Sequence, residues 1–263
     1  MWPFRIGLGP LAVTPVEVFA FLGLALVAWL SRRRMAEVGA RGGALLDLAL
    51  AALIGGSIGA RLFYFLPLWL RGLERGSHLV GAWSDGSGFW GGLLGGSAAV
   101  ALVARLKGLP VARVLDAAAA PLPVGFAVGK VGCFLAGCCY GRPCEGFPGV
   151  RFAEGSLAGA ARAVHPAQLY ELLLALLLFA VLRKVDRTSS RPGGTYWALL
   201  AGYSVWRFAI EFVRDDPGRH GFGAALSDSQ ITALGVLAAA AGSAVWRRIR
   251  GKVEKAPPAG RNT

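Results

Sequence analysis

Long apolar stretches with almost no charged residues recur along the chain and alternate with short polar connections. A helix of ~20 apolar residues crosses a hydrocarbon core of ~30 Å, so such stretches are typical of transmembrane helices. The candidates lie at roughly 11–30, 44–66, 89–104, 112–140, 166–182, 195–213 and 229–246. The pattern predicts an all-α, polytopic membrane helix bundle with about seven transmembrane helices.

The fourth stretch is too long for one straight helix, and Pro121 and Pro123 are expected to break or bend it. The sequence shows no soluble domain. Residues 1–250 are interpreted as a single integral membrane domain, and residues 251–263 as a disordered cytoplasmic tail. The connections at about 67–88 and 141–164 are long enough to form caps or gates over the bundle.

Composition supports a membrane protein, because 55% of the residues are hydrophobic and only 16% are charged. In a soluble protein the net charge of +13 would suggest binding to nucleic acid. Here most lysines and arginines follow the first, third, fifth and seventh stretches, which share one side of the membrane. The positive-inside rule therefore predicts an N-terminus outside and a C-terminus in the cytoplasm, with no nucleic-acid partner.

The basic cluster Arg32–Arg34 follows the first apolar run, which favours an uncleaved anchor over a signal peptide.

The sixth stretch carries a row of polar side chains. They are Tyr203, Arg207, Glu211 and Arg214. Their spacing of i, i+4, i+8 and i+11 confines them to a stripe ~80° wide in a continuous helix. A charge at the centre of a membrane helix costs about 2.5–3.5 kcal/mol, so it needs a partner or a function. One interpretation is an ion pair between Arg207 and Glu211 that locks two helices together. The other is a binding site, because a guanidinium bound to one carboxylate keeps donors for a phosphate.

The fifth stretch begins with HPAQLYE. Pro166 suits the first position of a helix, which places His165 at the cap near the outer interface. His165, Gln168 and Glu171 then fall within an arc of ~120°. A hydrogen-bonded interfacial histidine would explain His165 alone, whereas three polar side chains on one arc favour a site.

All four cysteines lie within the segment GKVGCFLAGCCYGRPCEG. They are Cys133, Cys138, Cys139 and Cys144. Structural zinc sites favour paired Cys-x2–4-Cys ligands, and no such pair occurs here. Adjacent residues point to different faces of a helix, so Cys138 and Cys139 are expected to diverge, and no metal site is predicted. A disulfide of Cys138 or Cys139 with Cys144 is favoured on an oxidising side of the membrane; the alternative is that the cysteines are small packing residues.

Several motifs occur together in one order. They are GARLFYF, DGSGFWGGL, GKVGCFLAGCCYGR, HPAQLYE, GYSVWRFAIEFVR and SDSQI. In this combination the chain resembles the bacterial phosphatidylglycerol–prolipoprotein diacylglyceryl transferases over essentially its whole length. An N-out bundle of seven helices agrees with that family.

The resemblance also shows where the chain departs from the family. The family signature reads, in outline, Gly-Arg-x-Gly-Asn-Phe-x-Asn-x-Glu-x-x-Gly. Here Lys130 replaces the arginine, and Cys133, Ala136 and Cys138 replace the two asparagines and the glutamate, while Gly141 is retained. In the third stretch, Trp90 stands where the family has a histidine that could act as a base. Two of the cysteines are therefore interpreted as substitutions within a headgroup-binding motif.

The resemblance implies transfer of the diacylglyceryl group of phosphatidylglycerol to the thiol of a lipobox cysteine in a prolipoprotein, at the bacterial inner membrane. It implies Arg207, Tyr203 and His165 as catalytic residues. The implied substrate-binding residues are Lys130, Arg207, Tyr203, Trp90, Gly141, Gln168, Glu171 and Glu211. Lys130 and Arg207 would meet the phosphate, Tyr203 would position the headgroup, and Glu211 would hold Arg207. The expected partners are phosphatidylglycerol, prolipoprotein signal peptides and membrane lipids, with no cofactor.

Two other functional classes remain open at the level of sequence. The cysteines could belong to a membrane thiol–disulfide oxidoreductase, in which case cysteine mutants would lose a redox-dependent activity. The chain could also be a transporter or a non-catalytic lipid-binding paralogue. A transporter would be expected to show inverted repeats or pairs of broken helices, and the sequence shows no clear ones.

Overall fold

The protein is a bundle of helices. The computed structural model describes residues 6–8, 11–70, 88–154, 156, 158, 162–188, 191–214 and 226–253. Within these ranges the helices are α1 (Pro15–Glu37), α2 (Gly43–Leu70), α3 (Phe89–Leu106), α4 (Val111–Ala119), α5 (Leu122–Ala136), α6 (Ala167–Thr188), α7 (Gly194–Ile210) and α8 (Asp228–Val253). Two short strands, β1 (Ile6–Leu8) and β2 (Leu11–Val13), pair antiparallel before α1. The prediction of a helical membrane protein is confirmed.

Four of the described helices are long and apolar enough to cross a membrane. These segments are Pro15–Glu37, Gly43–Phe63, Phe89–Leu106 and Asp228–Arg247. The bent pair formed by α4 and α5 adds a fifth if it counts as one span. α6 and α7 do not pass the same test. α7 has only 17 residues, and α6 ends in a charged turn that includes Arg187.

The bundle exposes large apolar side chains and buries several charged and polar ones, which is unusual for a soluble protein. Phe21 of α1 is 71% exposed and Leu177 of α6 is 62% exposed. By contrast, Gln168, Glu171 and Arg207 are buried. A lipid environment accounts for both observations, because hydrocarbon solvates the apolar exterior while polar side chains find partners only inside the bundle.

The first helix begins later than the sequence predicted. Residues 11–13 belong to β2, and α1 starts at Pro15. Proline is favoured at the first helical position because its missing N–H would have no partner there. The Thr14 amide donates to Oε2 of Glu17 over 2.7 Å, which satisfies a donor that the helix itself leaves unpaired. These local contacts fix the boundary.

The fourth predicted stretch is two helices. α4 and α5 are bent by 41° at a break that contains Pro121, which confirms the predicted effect of the prolines. α5 ends at Ala136, and the next residue, Gly137, takes a φ of 68°. The prediction that this stretch stays helical to residue 140 is therefore wrong. A left-handed glycine directly after the last turn is a common helix terminator.

Close packing between α2 and α3 depends on glycine. A Cβ atom on Gly59 would overlap the Gly91 carbonyl oxygen, and one on Gly91 would overlap the Gly59 carbonyl oxygen. The two backbones are thus in direct contact, as small residues allow between membrane helices. This contact is the most extensive between any two described helices, and it presents the first turn of α3 to the centre of the bundle.

The connection between α5 and α6, called the cap below, pairs with itself and with the segment after α7. Short β-bridges join Gly141 to Arg214 and Val164 to Pro143 and Val150. The second predicted cap, at 67–88, falls mainly on residues outside the described ranges. Most of the predicted tail also lies outside them, and its first three residues, 251–253, belong to α8.

Candidate active site

The helices enclose a cavity of about 760 Å³. Its apolar wall includes Leu24 and Val27 of α1 and Leu178 of α6. Its charged lining residues are Lys130, Glu171, Arg207, Arg214 and Asp228. A compartment with an apolar wall and a cluster of charges matches the chemistry of an amphiphile, whose chains and headgroup need different surroundings.

One carboxylate holds two of the cations. Oε2 of Glu171 forms an ion pair with Nζ of Lys130, and its Oε1 lies 3.2 Å from an Nη atom of Arg214. Lys130 is 9% exposed and Glu171 is 2% exposed, so neither charge could remain here without a partner. Nζ of Lys130 also lies 5.0 Å from the centre of the Phe126 ring, a cation–π contact. The Glu171 carboxylate thus joins α6 to α5 and to the segment after α7.

A second carboxylate positions Arg207. Nη1 of Arg207 lies 2.5 Å from Oε2 of Glu211, one helical turn away. Nη2 of Arg207 donates to Oγ of Ser229 on α8 over 3.1 Å. The predicted ion pair between Arg207 and Glu211 is present, and the serine adds a second point of attachment. Two anchors leave one face of the guanidinium directed at the cavity, which Arg207 lines.

The polar row of the sixth stretch is only partly helical. Tyr203 and Arg207 lie on α7, whereas Arg214 follows the end of the helix and pairs through its backbone with Gly141. The prediction of one continuous stripe is therefore wrong at its last member. The change of direction after Ile210 carries Arg214 to Glu171, on a different element.

Aromatic rings enclose Tyr203. The ring centroids of Phe89, Trp90 and Trp206 lie 4.7, 4.8 and 5.2 Å from that of Tyr203. All four residues line the cavity. The buried indole Nε1 atoms of Trp90 and Trp206 have no hydrogen-bond partner among the described residues. Because a buried donor without a partner is costly, these two N–H groups are candidates to donate to a bound molecule.

Three of the predicted residues support the cap instead of lining the cavity. Gln168 is fully buried and donates from Nε2 to the Cys138 carbonyl over 2.6 Å. The His165 carbonyl accepts from the Gly141 amide over 2.8 Å. Nδ1 of His165 lies 3.1 Å from the hydroxyl of Tyr170. A Cβ on Gly141 would lie 2.7 Å from Cβ of His165, so a larger residue does not fit at position 141 without a shift. His165, Gln168 and Gly141 are not among the residues that line the cavity.

The cysteines do not follow the sequence prediction. The Sγ atoms of Cys133, Cys138 and Cys139 all lie within 4.8 Å of one another. The expectation that Cys138 and Cys139 diverge on a helix is wrong, because α5 has already ended. All four cysteines are free thiols, so the favoured disulfide with Cys144 is not formed. Thiol donors from Cys133 and Cys138 lower the pKa of Cys139, and the charges of Lys130 and Arg214 act in the same direction.

Comparison with known proteins agrees with this architecture. The family model for prolipoprotein diacylglyceryl transferase matches residues 3–246. The chain belongs to the prolipoprotein diacylglyceryl transferase family. The family predicted from the sequence motifs is thus confirmed.

Three relatives in this family share the printed name phosphatidylglycerol–prolipoprotein diacylglyceryl transferase. The protein of Vibrio vulnificus strain YJ016 is 31% identical over 257 residues, covering 95% of this chain and 92% of the relative. That of Nitrobacter winogradskyi is 31% identical over 235 residues, 84% of this chain and 79% of the relative. That of Clostridium tetani is 29% identical over 213 residues, 81% of this chain and 84% of the relative.

Several residues that line the cavity were not predicted as site residues from the sequence. Arg214 was recognised as part of a polar row but was not assigned to the site, because its route to Glu171 depends on the end of α7. Phe126, Trp206 and Ser229 also line the cavity. Ser229 belongs to SDSQI, one of the motifs that carry the family resemblance, and that motif was the available signal.

Proposed function

We propose that the protein transfers the diacylglyceryl group of phosphatidylglycerol to the thiol of a lipobox cysteine in prolipoproteins. In this reaction the cysteine sulfur bonds to the glyceryl carbon that carries the phosphate. The carbon–oxygen bond to the phosphate breaks, and glycerol phosphate leaves with the electron pair. The thiol proton is lost, and a thioether remains.

The observation that best supports this function is that three cations line one cavity with an apolar wall. Lys130, Arg207 and Arg214 enter from three different elements. A leaving phosphate gains negative charge in the transition state, and fixed cations in a site of low dielectric constant stabilise that charge. Leu24 and Leu178 provide the apolar wall along which acyl chains would lie. The family relationship and the cavity therefore support the same donor.

The same cations would activate the acceptor. An ordinary thiol has a pKa of ~8.5, and positive charges nearby favour the thiolate. A lipobox thiol brought beside Lys130 and Arg207 would lose its proton more readily for that reason. Trp90 has no basic nitrogen, and its indole N–H would instead donate to an oxygen of the lipid. Tyr203, enclosed by Trp90 and its aromatic neighbours, would fix the headgroup.

The cap residues have a positioning role in this proposal. His165 and Gly141 join the cap to the start of α6, and Gln168 holds the turn at Cys138. They would keep Glu171, and through it Lys130 and Arg214, at the cavity wall. The family resemblance implied a direct catalytic role for His165. Its position among the cap residues favours an indirect role.

A reconstituted assay tests the function. The purified protein would be mixed with phosphatidylglycerol and a lipobox peptide, and the peptide product measured by mass together with the glycerol phosphate released. We expect a product heavier by one diacylglyceryl group and an equal amount of glycerol phosphate. A peptide with serine in place of the lipobox cysteine is the control. Lipid binding without product would indicate a non-catalytic paralogue instead.

We also propose that the bundle crosses the bacterial inner membrane seven times, with the N-terminus outside and the C-terminus in the cytoplasm. The four apolar helices and the bent pair support five of these spans, and α6 and α7 would supply the others. α7 falls short by length, and α6 by the charges of its last turns. Within the two helices, Glu171, Tyr203 and Arg207 line the cavity.

A further inference from the structure

Three thiols converge at the edge of the cavity, and the proposed transfer uses none of them as a reacting group. Cys133 lies on the last turns of α5, and Cys138 and Cys139 follow the helix. Their Sγ atoms lie within 4.8 Å of one another. Cys133 and Cys139 line the cavity, which makes the cluster accessible from within the bundle. The fourth cysteine, Cys144, does not belong to this group.

The backbone turns directly after α5, and this turn places the three thiols close together. Gly137 takes a φ of 68° and ends the helix, and the Cys138 amide donates back to the Cys133 carbonyl over 3.1 Å. Cys139 takes a φ of 60°. For a residue with a side chain this left-handed conformation costs about 1–2 kcal/mol, and such residues cluster at functional sites. The hydrogen bond from Gln168 to the Cys138 carbonyl holds the turn in place.

The distances suit a single metal ion. Zinc–sulfur bonds are about 2.3 Å long, and three sulfurs at that distance in a plane with the ion are about 4.0 Å apart. The observed limit of 4.8 Å leaves room for such an arrangement after a small adjustment. The described cluster contains no histidine or carboxylate, so its donor set is entirely soft. Soft thiolates favour Cu(I), zinc and iron–sulfur clusters. Structural zinc sites almost always have four ligands, so a set of three sulfurs favours Cu(I).

We propose that Cys133, Cys138 and Cys139 form a binding site for one thiophilic metal ion, with Cu(I) as the ion that three sulfurs fit best. Three thiolates around a monovalent ion carry net negative charge, and the cations Lys130 and Arg214 line the same cavity as Cys133 and Cys139. Cations at the same cavity reduce the cost of burying an anionic complex. The site adds a metal-binding property to the chain that the transfer reaction does not need.

A competition titration with the metal alone tests this site. The full-length protein in detergent, reduced under anaerobic conditions, would be titrated with Cu(I) in the presence of the chromophoric chelator bicinchoninate. We expect one Cu(I) per chain. Each of Cys133→Ser, Cys138→Ser and Cys139→Ser should bind Cu(I) at least about tenfold more weakly, because each removes one ligand. Cys144→Ser is the matched control and should bind as the wild type does.

Two further measurements keep the test independent of folding. The melting temperature of each variant would identify one that binds weakly because it is unfolded. For the wild type, X-ray absorption at the copper edge should show three sulfur neighbours at about 2.3 Å. Binding that survives in the triple serine variant, or that is lost in Cys144→Ser, would overturn the proposal. A preference for Zn(II) over Cu(I) would also overturn it. The same holds if the isolated protein contains a disulfide within the cluster and binds no Cu(I) after that disulfide is reduced.

Discussion

At the scale of single residues, the site depends on how each buried cation is anchored. Glu211 and Ser229 bind Arg207 from two helices, whereas Glu171 holds Lys130 together with Arg214. An arginine offers a planar fork of donors that binds two phosphate oxygens at once, and a lysine offers a compact point charge. The two cations should therefore respond differently to substitution.

Arg207→Ala should abolish transfer, because it removes the fork of donors. The melting temperature should fall although the protein remains folded, because the buried Glu211 carboxylate loses its ion-pair partner. Arg207→Lys should keep partial activity, since the charge remains and the bidentate geometry is lost. Transfer rates and melting temperatures of both variants check this. Full activity of Arg207→Ala would remove Arg207 from the mechanism.

Lys130→Met should lower the transfer rate at least tenfold, equal to ~1.4 kcal/mol of transition-state stabilisation. Lys130→Arg should retain or raise activity, because either cation can meet a phosphate. If Lys130 only stabilised the fold through Glu171, the methionine variant would melt earlier but keep its turnover once folded. Measuring both quantities on both variants separates the two roles.

Replacing all four cysteines with serine should leave transfer measurable, because Arg207, Tyr203 and the other cavity cations remain. Stability could fall through lost packing around Cys133, so the melting temperature is measured alongside. A variant that is well folded yet inert would contradict the transfer mechanism proposed here and support thiol chemistry in its place.

At the scale of helices, direct backbone contact between α2 and α3 sets the position of Trp90. A methyl group on Gly59 would overlap the Gly91 carbonyl, whereas one on Gly56 would lie 3.4 Å from the Gly92 carbonyl. Gly56 and Gly59 lie three residues apart on α2, but only at Gly59 is α3 too close to admit a methyl group.

Gly59→Ala should destabilise the protein by about 1–3 kcal/mol, because the two helices must separate to admit the methyl group. Gly56→Ala is the matched control and should change stability little. Unfolding of both variants in the same detergent gives the comparison. Equal stability of the two variants would show that α2 and α3 can separate at no cost.

At the scale of the whole molecule, the outward apolar face and the basic connections together define how the bundle lies in a membrane. The cations that follow the first, third, fifth and seventh predicted spans should remain in the cytoplasm. A fluorescent protein fused to the C-terminus should then fluoresce, and alkaline phosphatase fused there should be inactive. The opposite result for both reporters would reverse the proposed orientation.

The sequence by itself determined the helical membrane class, the family and the bend at the prolines. The class and the bend follow from local physics, because apolar length specifies a helix in lipid and proline removes a backbone donor. The family followed from the resemblance of the motifs. The sequence also placed Arg207 beside Glu211, because a spacing of four residues brings two side chains together on any helix.

Only the tertiary structure decided which distant groups meet. Asp116 lies in the same predicted stretch as Lys130, but it accepts the backbone amides of Gly193 and Tyr196 at the start of α7. Lys130 pairs with Glu171 instead. No local pattern distinguishes these carboxylates, since the choice depends on how α4, α6 and α7 pack.

The cysteine cluster has the same origin. Helical periodicity predicts that Cys138 and Cys139 diverge, and it fails because the helix ends at Ala136. The turn that follows is held by Gln168, thirty residues further along the chain. Burial makes that hydrogen bond expensive to lose, so a contact between distant segments, and not local propensity, brings the three thiols together.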